Sequence, residues 1–117
     1  MQISFDDKSP IYRQLADRLR ELVLEGVYQD GDALPSVRQI AGEHRINPIT
    51  VSKAFQMLVD EGVVEKRRGL GMFVMPGASE QLAENEKKEF LNEEWPKIRQ
   101  KIDRLGISTT ELLEQTS

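Results

Sequence analysis

The sequence predicts a mostly α-helical protein with one small β-hairpin, and three observations lead to this fold class. Two capped helix starts lie eleven residues apart, at Ser36 and Asn47. Two short strand patterns then flank a glycine-containing turn, and an apolar stripe at helical spacing occupies the last part of the chain. Together they predict an N-terminal winged helix-turn-helix domain over residues 9–76, with the helix-turn-helix at about 36–55 and the wing at 63–75, followed by a helical tail over 77–117.

Length and composition place the chain among cytoplasmic proteins without disulfides. Its 117 residues allow one compact domain of modest size plus an appendage. The absence of cysteine excludes disulfides, thiolate nucleophiles and sulfur metal ligands. No apolar run approaches the ~20 residues of a membrane span, and the acidic start is not a secretory signal. We therefore expect a cytoplasmic location and no membrane partner.

The charge distribution is more informative than the net charge of −4. An acidic chain argues mildly against a nucleic-acid binder, since such domains are often basic. However, residues 36–75 carry a net charge of +2, and the segments before and after them each carry −3. Because binding depends on the local field where phosphates lie, the acidic flanks do not exclude DNA as a partner.

The first helix is predicted over about 10–25. Ser9 followed by Pro10 reads as a cap residue before a proline at the first helical position. Gly26 is placed to end the helix in a left-handed conformation, and the segment 28–35 has no periodicity and is predicted to be a loop. The expected apolar face consists of Ile11, Leu15, Leu19, Leu22 and Val23.

Two short helices follow, each with its own start signal. Ser36 and Gln39 fit a capping box, which predicts a helix over about 37–44 that buries Val37, Ile40 and Ala41. Asn47 before Pro48 predicts a second start and a helix over about 48–61 that ends at Gly62. The core stripe of the latter is Val51, Ala54, Phe55, Leu58 and Val59, and Ile49, Ser52, Lys53 and Gln56 fall on the opposite side.

A hairpin completes the domain. Residues 63–67 and 72–75 read as strands joined by Arg68-Gly69-Leu70-Gly71. A hairpin directly after the second helix of a helix-turn-helix is the wing of a winged helix-turn-helix. The usual function of this arrangement is to place that helix in the major groove of double-stranded DNA.

The tail carries an apolar seam with spacings of four and three residues. Pro96 interrupts it, so either one helix ends near Asn92 and another begins, or one long helix kinks. Gly106 stops this helix, and Ser108 with Glu111 forms a capping box for a last short helix. The seam either covers the core of its own chain or forms a homodimer, and we favour dimerisation because a two-fold operator needs two reading domains. The seam residues are Leu91, Trp95, Ile98, Ile102 and Leu105.

Four segments resemble the GntR family of bacterial transcription regulators. They are Pro-Ile-Tyr-Arg-Gln-Leu at 10–15, Leu-Pro-Ser-Val-Arg-Gln-Ile-Ala at 34–41, Thr-Val-Ser-Lys-Ala-Phe at 50–55 and Arg-Arg-Gly-Leu-Gly-Met-Phe-Val at 67–74. The short tail and the Asn-Pro helix start resemble the small YtrA subgroup. The resemblance implies a helical dimerisation tail and a dimeric repressor at an inverted-repeat operator, often next to a transporter operon.

Residues and resemblance together give the candidate DNA-binding set. Arg38 matches an arginine of the family motif that contacts DNA, and its alternative is a solvated surface arginine. Ile49 could instead be partly buried against the preceding helix, Thr50 could merely pack, and the wing cations could be a solvated charge run. The set comprises Ser36, Arg38, Arg45, Asn47, Pro48, Ile49, Thr50, Ser52, Lys53, Lys66, Arg67, Arg68, Gly69 and Leu70.

Three positions depart from the family pattern. Many relatives carry arginine at the positions of Pro48 and Ser52, so the reading helix lacks the bidentate arginine-to-guanine contact. We therefore expect an operator with A·T character under this helix. Leu70 replaces the usual lysine between the glycines of the wing, which removes one phosphate partner.

Other functions have little support in the sequence. The single histidine, His44, has no partner triad, and no metal-ligand spacing, P-loop or dinucleotide motif occurs, so we expect neither an enzyme nor a cofactor. The main alternative is a winged-helix module for protein–protein interaction without DNA reading. A small-molecule effector between the domain and the tail stays open, although no set of residues points to one.

Overall fold

The computed structural model describes residues 1–115, which divide into two compact units, Met1–Ala83 and the residues from Glu84 onward. In chain order the described elements are α1 (Ile11–Leu24), α2 (Val37–His44), α3 (Pro48–Asp60), β1 (Val64–Arg67), β2 (Gly71–Val74), α4 (Ala78–Glu89), a π-helical turn (Phe90–Glu94), α5 (Trp95–Leu105) and α6 (Thr109–Gln115). This mostly helical architecture with one hairpin confirms the predicted fold class.

Helix α1 begins one residue later than a Ser9 cap would require. Pro10 occupies the cap position, with no side-chain capping bond, and its carbonyl oxygen accepts hydrogen bonds from the Arg13 and Gln14 amides at 3.1 and 3.2 Å. The predicted Ser9 cap is therefore wrong. The Ser9 carbonyl oxygen instead accepts a bond from Gln14 Nε2 at 2.7 Å. At the other end Gly26 adopts φ +82° and ends the helix as predicted.

The buried face of α1 differs slightly from the predicted stripe. Ile11 is only half-buried, whereas Ala16 is fully buried and was not on the predicted face. The small side chain of Ala16 lets neighbouring elements pack closely against the helix. A search of the sequence for bulky apolar residues at helical spacing therefore does not select it. The buried residues of this helix are Leu15, Ala16, Leu19, Leu22 and Val23.

The two short helices begin where their caps predict. Ser36 Oγ accepts from the Gln39 amide at 3.0 Å, and Gln39 Oε1 accepts from the Ser36 amide at 3.1 Å, which completes the capping box. Asn47 Oδ1 accepts from the Ile49 amide at 2.9 Å, with Pro48 at the first helical position. Of the predicted core residues in α2, only Ile40 is buried, while Val37 and Ala41 are half-buried.

Helix α3 supplies much of the core of the first unit and packs against both α1 and α2. Its fully buried residues are Val51, Ala54, Phe55 and Leu58, and Val59 is half-buried. An ion pair also ties the end of α3 to α1, since Arg20 donates to both carboxylate oxygens of Glu61 at 2.7 and 2.6 Å. These hydrogen bonds to Glu61 raise the pKa of Arg20 above its ordinary value, against the opposing effect of burial.

The hairpin has a third partner that the sequence did not indicate. Strands β1 and β2 pair antiparallel, with Val64 opposite Val74. On the other edge of β2, the Leu34 amide donates to the Met72 carbonyl at 2.8 Å, and Ala33 forms a bridge with Phe73. The segment before Pro35, predicted to be a loop, therefore adds a short strand-like edge to the wing.

The start of α4 belongs to the first unit. Ala78 is buried in its core, and Leu82 packs against that core. The compact units consequently divide between Ala83 and Glu84, some residues beyond Pro76, where the sequence places the boundary.

In the second unit, the helical path continues through Pro96. Glu89, Glu94 and Trp95 all have helical backbone angles, and the Trp95 amide donates to the Phe90 carbonyl across the π-helical turn. Of the two alternatives that the sequence leaves open, a helix end near Asn92 is therefore wrong, and one long helix is closer, with a wide turn beside the proline. This turn also brings the Phe90 and Trp95 rings to a centroid distance of 6.5 Å.

The last part of the second unit follows the predicted stops and starts. Gly106 adopts φ +69° and ends α5. Ser108 Oγ accepts from the Glu111 amide at 3.1 Å, and Glu111 Oε2 accepts from the Ser108 amide at 3.4 Å, which confirms the second capping box. Across the described residues, the helices are too short or too polar for any of them to cross a membrane.

Candidate DNA-binding surface

The helix-turn-helix presents two exposed arginines. Arg38 lies in the first turn of α2, and Arg45 is the residue that ends it. Arg45 adopts φ +53° and ψ +47°, a left-handed conformation that is costly for a side chain with a Cβ. Within residues 1–115 neither guanidinium takes part in an ion pair.

The N-terminal end of α3 is open to solvent. Asn47 uses Oδ1 to cap the helix, and Pro48 fills the position where no amide hydrogen is needed. Ile49 is 67% exposed, so its predicted alternative, burial against α2, is wrong. Thr50, by contrast, is half-buried. An exposed isoleucine beside a capped helix start can pack on a thymine methyl group in a DNA groove.

A groove joins the start of α2, the exposed face of α3 and the wing. Its volume is about 300 Å³, and residues from all three elements line it. Ser36 comes from α2, Ser52 and Gln56 from α3, and Lys66 and Gly69 from the wing. The structure thus brings together, at one place, residues from Ser36 to Met72, which lie 36 positions apart in the sequence.

Lys53 links the reading helix to the start of α1. Its Nζ lies 5.7 Å from the centroid of the Tyr12 ring, and the Arg13 guanidinium carbon lies 5.9 Å from the same centroid. Such distances fit cation–π contacts. Tyr12 and Arg13 were not among the sequence candidates. Their signal was available only as part of the family motif at 10–15, since their proximity to α3 depends on the tertiary fold.

The three basic residues of the wing differ in the contacts that their side chains make. Arg67 Nε donates to Glu65 Oε1 at 2.9 Å, and its guanidinium carbon lies 4.2 Å from the centroid of the Phe73 ring. Lys66 and Arg68 are exposed, and within the described residues no hydrogen bond or ion pair engages either side chain. Strand alternation predicts that residues 65 and 67 lie on one face of β1. Their proximity to Phe73 depends on how β1 pairs with β2, which alternation alone does not give.

The tip of the wing is apolar at one position. Gly69 adopts φ +77°, as a tight turn requires, and Leu70 is exposed beside it. No charged group at position 70 can meet a phosphate. Across residues 1–115 no cluster of three or more His, Cys, Asp or Glu side chains could hold a metal ion.

The model of the family described as bacterial regulatory proteins, gntR family, matches residues 11–74. The chain belongs to the GntR family. This match covers α1 together with the helix-turn-helix and the wing, and the latter two form the groove. GntR-family proteins of this kind are transcriptional regulators, and this GntR protein is accordingly a DNA-binding transcriptional regulator.

Several relatives show which branch of the family this GntR protein resembles. The HTH-type transcriptional repressor YtrA of Bacillus subtilis is 42% identical over 84 residues, which cover 72% of this chain and 65% of YtrA. The uncharacterized HTH-type transcriptional regulator YhcF of the same organism is 31% identical over 97% of this chain and 93% of its own length. The YtrA subfamily therefore fits this chain.

A third relative and two solved structures extend the comparison. The mannosyl-D-glycerate transport/metabolism system repressor MngR of Escherichia coli is 38% identical over 56% of this chain and 27% of its own length. A GntR family transcriptional regulator from Listeria monocytogenes has a TM-score of 0.78 at 27% identity and covers 96% of both chains. YtrA from Sulfolobus acidocaldarius has a TM-score of 0.60 at 33% identity, over 77% of this chain and 95% of that structure.

Proposed function

We propose that the protein is a homodimeric repressor that binds an inverted-repeat operator. The observation that carries this proposal is the groove in which α2, α3 and the wing meet. Arg38 lies on α2 and Lys53 on α3, the reading helix, and Lys66 and Arg68 extend from the wing. Four cations on adjacent elements can bind phosphates of one half-site and so position α3 in the major groove.

The reading helix supports an A·T-rich half-site centre. Ile49 offers an apolar surface for thymine methyl groups, and the Ser52 hydroxyl can donate or accept. Helix α3 contains no arginine, so it cannot make the bidentate contact that favours guanine. Selection of binding sites from random DNA tests this assignment, and half-site centres made only of G·C pairs would contradict it.

The tail supports a dimer. Three large apolar side chains of the predicted seam, Leu91, Ile98 and Leu105, are exposed in the single chain. Exposed apolar residues repeated along one helical path mark a protein interface more often than a solvated face. A two-fold dimer would also present two copies of α3 to the two halves of an inverted repeat.

Two features of the relatives support repression and a transporter target. YtrA of Bacillus subtilis is named a transcriptional repressor, and MngR is named a repressor of a transport and metabolism system. We infer the same class of target here, a neighbouring transporter operon, in the cytoplasm where bacterial DNA lies. Genome-wide mapping of the bound sites tests this directly, since the flanking genes would name the operon.

The salt dependence of the affinity distinguishes DNA binding from the alternative function, a protein–protein interaction module. A dimer that makes six to ten phosphate contacts should lose about 10³–10⁵-fold in affinity between about 50 and 200 mM salt. The measurement is fluorescence anisotropy of a labelled DNA fragment taken from the mapped or selected sites. Binding that is independent of salt, or no binding to any fragment, would refute DNA reading.

A matched pair of variants sharpens that test. Lys53→Ala removes a cation on the reading helix, and Lys8→Ala removes an exposed lysine that precedes α1. We expect Lys53→Ala to weaken binding and to lower the magnitude of the salt slope, and Lys8→Ala to change neither. Equal effects of the two variants would mean that only the overall charge matters.

A further inference from the structure

Two neighbouring side chains of the wing engage Arg67, which is exposed and lines the groove. Glu65 lies directly opposite Phe73 in the hairpin register, and Arg67 follows two residues later on the same face of β1. The guanidinium is therefore fixed at two points, by the carboxylate at 2.9 Å and by the ring at 4.2 Å. Neither Lys66 nor Arg68 has any comparable contact within the described residues.

We propose that Arg67 is a positioning residue of the wing, and that Glu65 keeps its guanidinium from becoming a phosphate ligand. The direct phosphate contacts of the wing then come from Lys66 and Arg68. This inference rests on the proposed function, because it assigns roles within the same DNA-binding surface. It departs from the expectation from sequence that Lys66, Arg67 and Arg68 all contact DNA.

The first reason is electrostatic. Glu65 and Arg67 together form a neutral pair at the edge of a surface that faces phosphates. If Arg67 moved to a phosphate, the Glu65 carboxylate would stay unpaired close to the negatively charged DNA. The gain of one phosphate contact would thus be offset by a new repulsion, so the pair is expected to persist in the complex.

The second reason is packing. A guanidinium over an aromatic face gains both electrostatic attraction and stacking, and its planar group also binds a carboxylate in a fixed geometry. Arg67 would lose both when it leaves Phe73 and Glu65. The contact with Phe73 ties β1 to β2 next to the turn, and the bond to Glu65 holds the guanidinium there from within β1, so together they fix the direction in which Gly69 and Arg68 project.

Three variants of the full-length chain test the proposal, each measured by fluorescence anisotropy against the same selected DNA over a series of salt concentrations. Each lost phosphate contact lowers the magnitude of the salt slope by roughly 0.9, or by about two when both copies of a homodimer carry the change. Arg68→Gln should show this decrease. The double variant Glu65→Gln/Arg67→Gln leaves the net charge unchanged. It should keep the wild-type slope to within about 0.5, because it removes no contact with a phosphate.

The single variant Glu65→Gln should show the opposite effect. Without the carboxylate, Arg67 becomes available to phosphate, so binding should tighten and the slope should increase in magnitude by up to about two. The double variant supplies the control for this gain. If the gain persists when Arg67 is also replaced, it comes only from removal of a repulsive charge, and the restraining role of Glu65 is refuted.

The decisive comparison is between Arg68→Gln and the double variant. If the magnitude of the salt slope falls by about two in both variants, Arg67 contacts phosphate in the wild-type complex and the proposal is wrong. If the wild-type protein itself shows no salt-dependent binding, the proposed function fails instead, so the two failures are distinguishable. Thermal melts confirm that each variant is folded at the assay temperature.

A fourth variant keeps the test independent of the charged pair. Phe73→Leu leaves Glu65 and Arg67 in place and removes only the ring beneath the guanidinium. We expect weaker binding to the selected site with an unchanged salt slope, as loss of positioning requires. A slope of greater magnitude with unchanged affinity for the selected site would show that the ring contact does not position the wing.

Discussion

Replacement of both Ile98 and Ile102 by aspartate should convert the proposed dimer into monomers. The two residues lie one turn apart on α5, where Ile98 is 43% exposed and Ile102 is half-buried. An interface through this seam would bury both side chains against the second copy. Aspartate would then bring two carboxylates per chain into an apolar contact, where each must lose its hydration.

The exposed fractions set the size of the effect. Leu91, Ile98 and Leu105 are 50%, 43% and 58% exposed, which amounts to about one and a half side chains per copy and about three per dimer. At ~1.5–3 kcal/mol for each fully buried side chain, the seam contributes about 5–9 kcal/mol before the cost of association. A dissociation constant of 1 μM corresponds to about 8 kcal/mol, so the free dimer should be micromolar or weaker.

Sedimentation velocity over about 1–100 μM brackets that range and measures the change. The double aspartate variant should raise the dimer dissociation constant more than about a hundredfold, equivalent to ~3 kcal/mol, and operator affinity should fall with it. Val27→Asp is the matched control, because Val27 is 56% exposed but lies in the loop after α1. A double variant that sediments as a dimer with an unchanged constant would refute dimerisation through this seam.

Four further outcomes follow from individual contacts. Arg45→Gly should raise the free energy of unfolding by roughly 0.5–1 kcal/mol, because glycine tolerates φ +53°, while DNA binding weakens; a lower melting temperature would contradict this. Glu61→Gln breaks the partly exposed ion pair between α1 and the end of α3, so urea unfolding should show a loss below about 1 kcal/mol, and a loss above ~2 kcal/mol would contradict that estimate. Ser52→Arg should shift sites selected from random DNA toward guanine under α3, and unchanged selected sites would place position 52 away from the bases. Phe90→Ala should weaken the dimer more than Leu91→Ala in sedimentation, and the reverse order would favour the seam as the sequence predicts it.

Local signals predicted the start and end of most elements. The capping box at Ser36, the cap at Asn47 and the capping box at Ser108 each use only neighbouring atoms, so their residues determine the outcome directly. Likewise Gly26 and Gly106 end α1 and α5 because only glycine adopts the left-handed conformation without strain. Elements with such markers were predicted to within one or two residues.

Features that depend on a distant partner escaped prediction. The segment Asp32-Ala33-Leu34 lacks strand-forming residues, and its pairing comes from hydrogen bonds with β2, such as Leu34 N–H to the Met72 carbonyl at 2.8 Å. The contact of Arg67 with Phe73 escaped prediction for a similar reason, because it requires the hairpin register. The residue types of the candidate site could therefore be predicted from the sequence. Which of their side chains are held in contacts with neighbouring side chains could not.

The π-helical turn beside Pro96 changes which residues lie on the apolar face of the tail. A proline cannot donate to the carbonyl four residues earlier, and its ring crowds that carbonyl in a regular α-helix. The π-helical turn over Phe90–Glu94 widens the helix at this point and pairs residues five positions apart, so Phe90 lies beside Trp95. A heptad pattern counted along the sequence assumes regular helix and selects Leu91 at this position. The wider turn instead adds Phe90 to the apolar face that begins at Trp95, so a dimer through this seam would start with an aromatic pair from each chain.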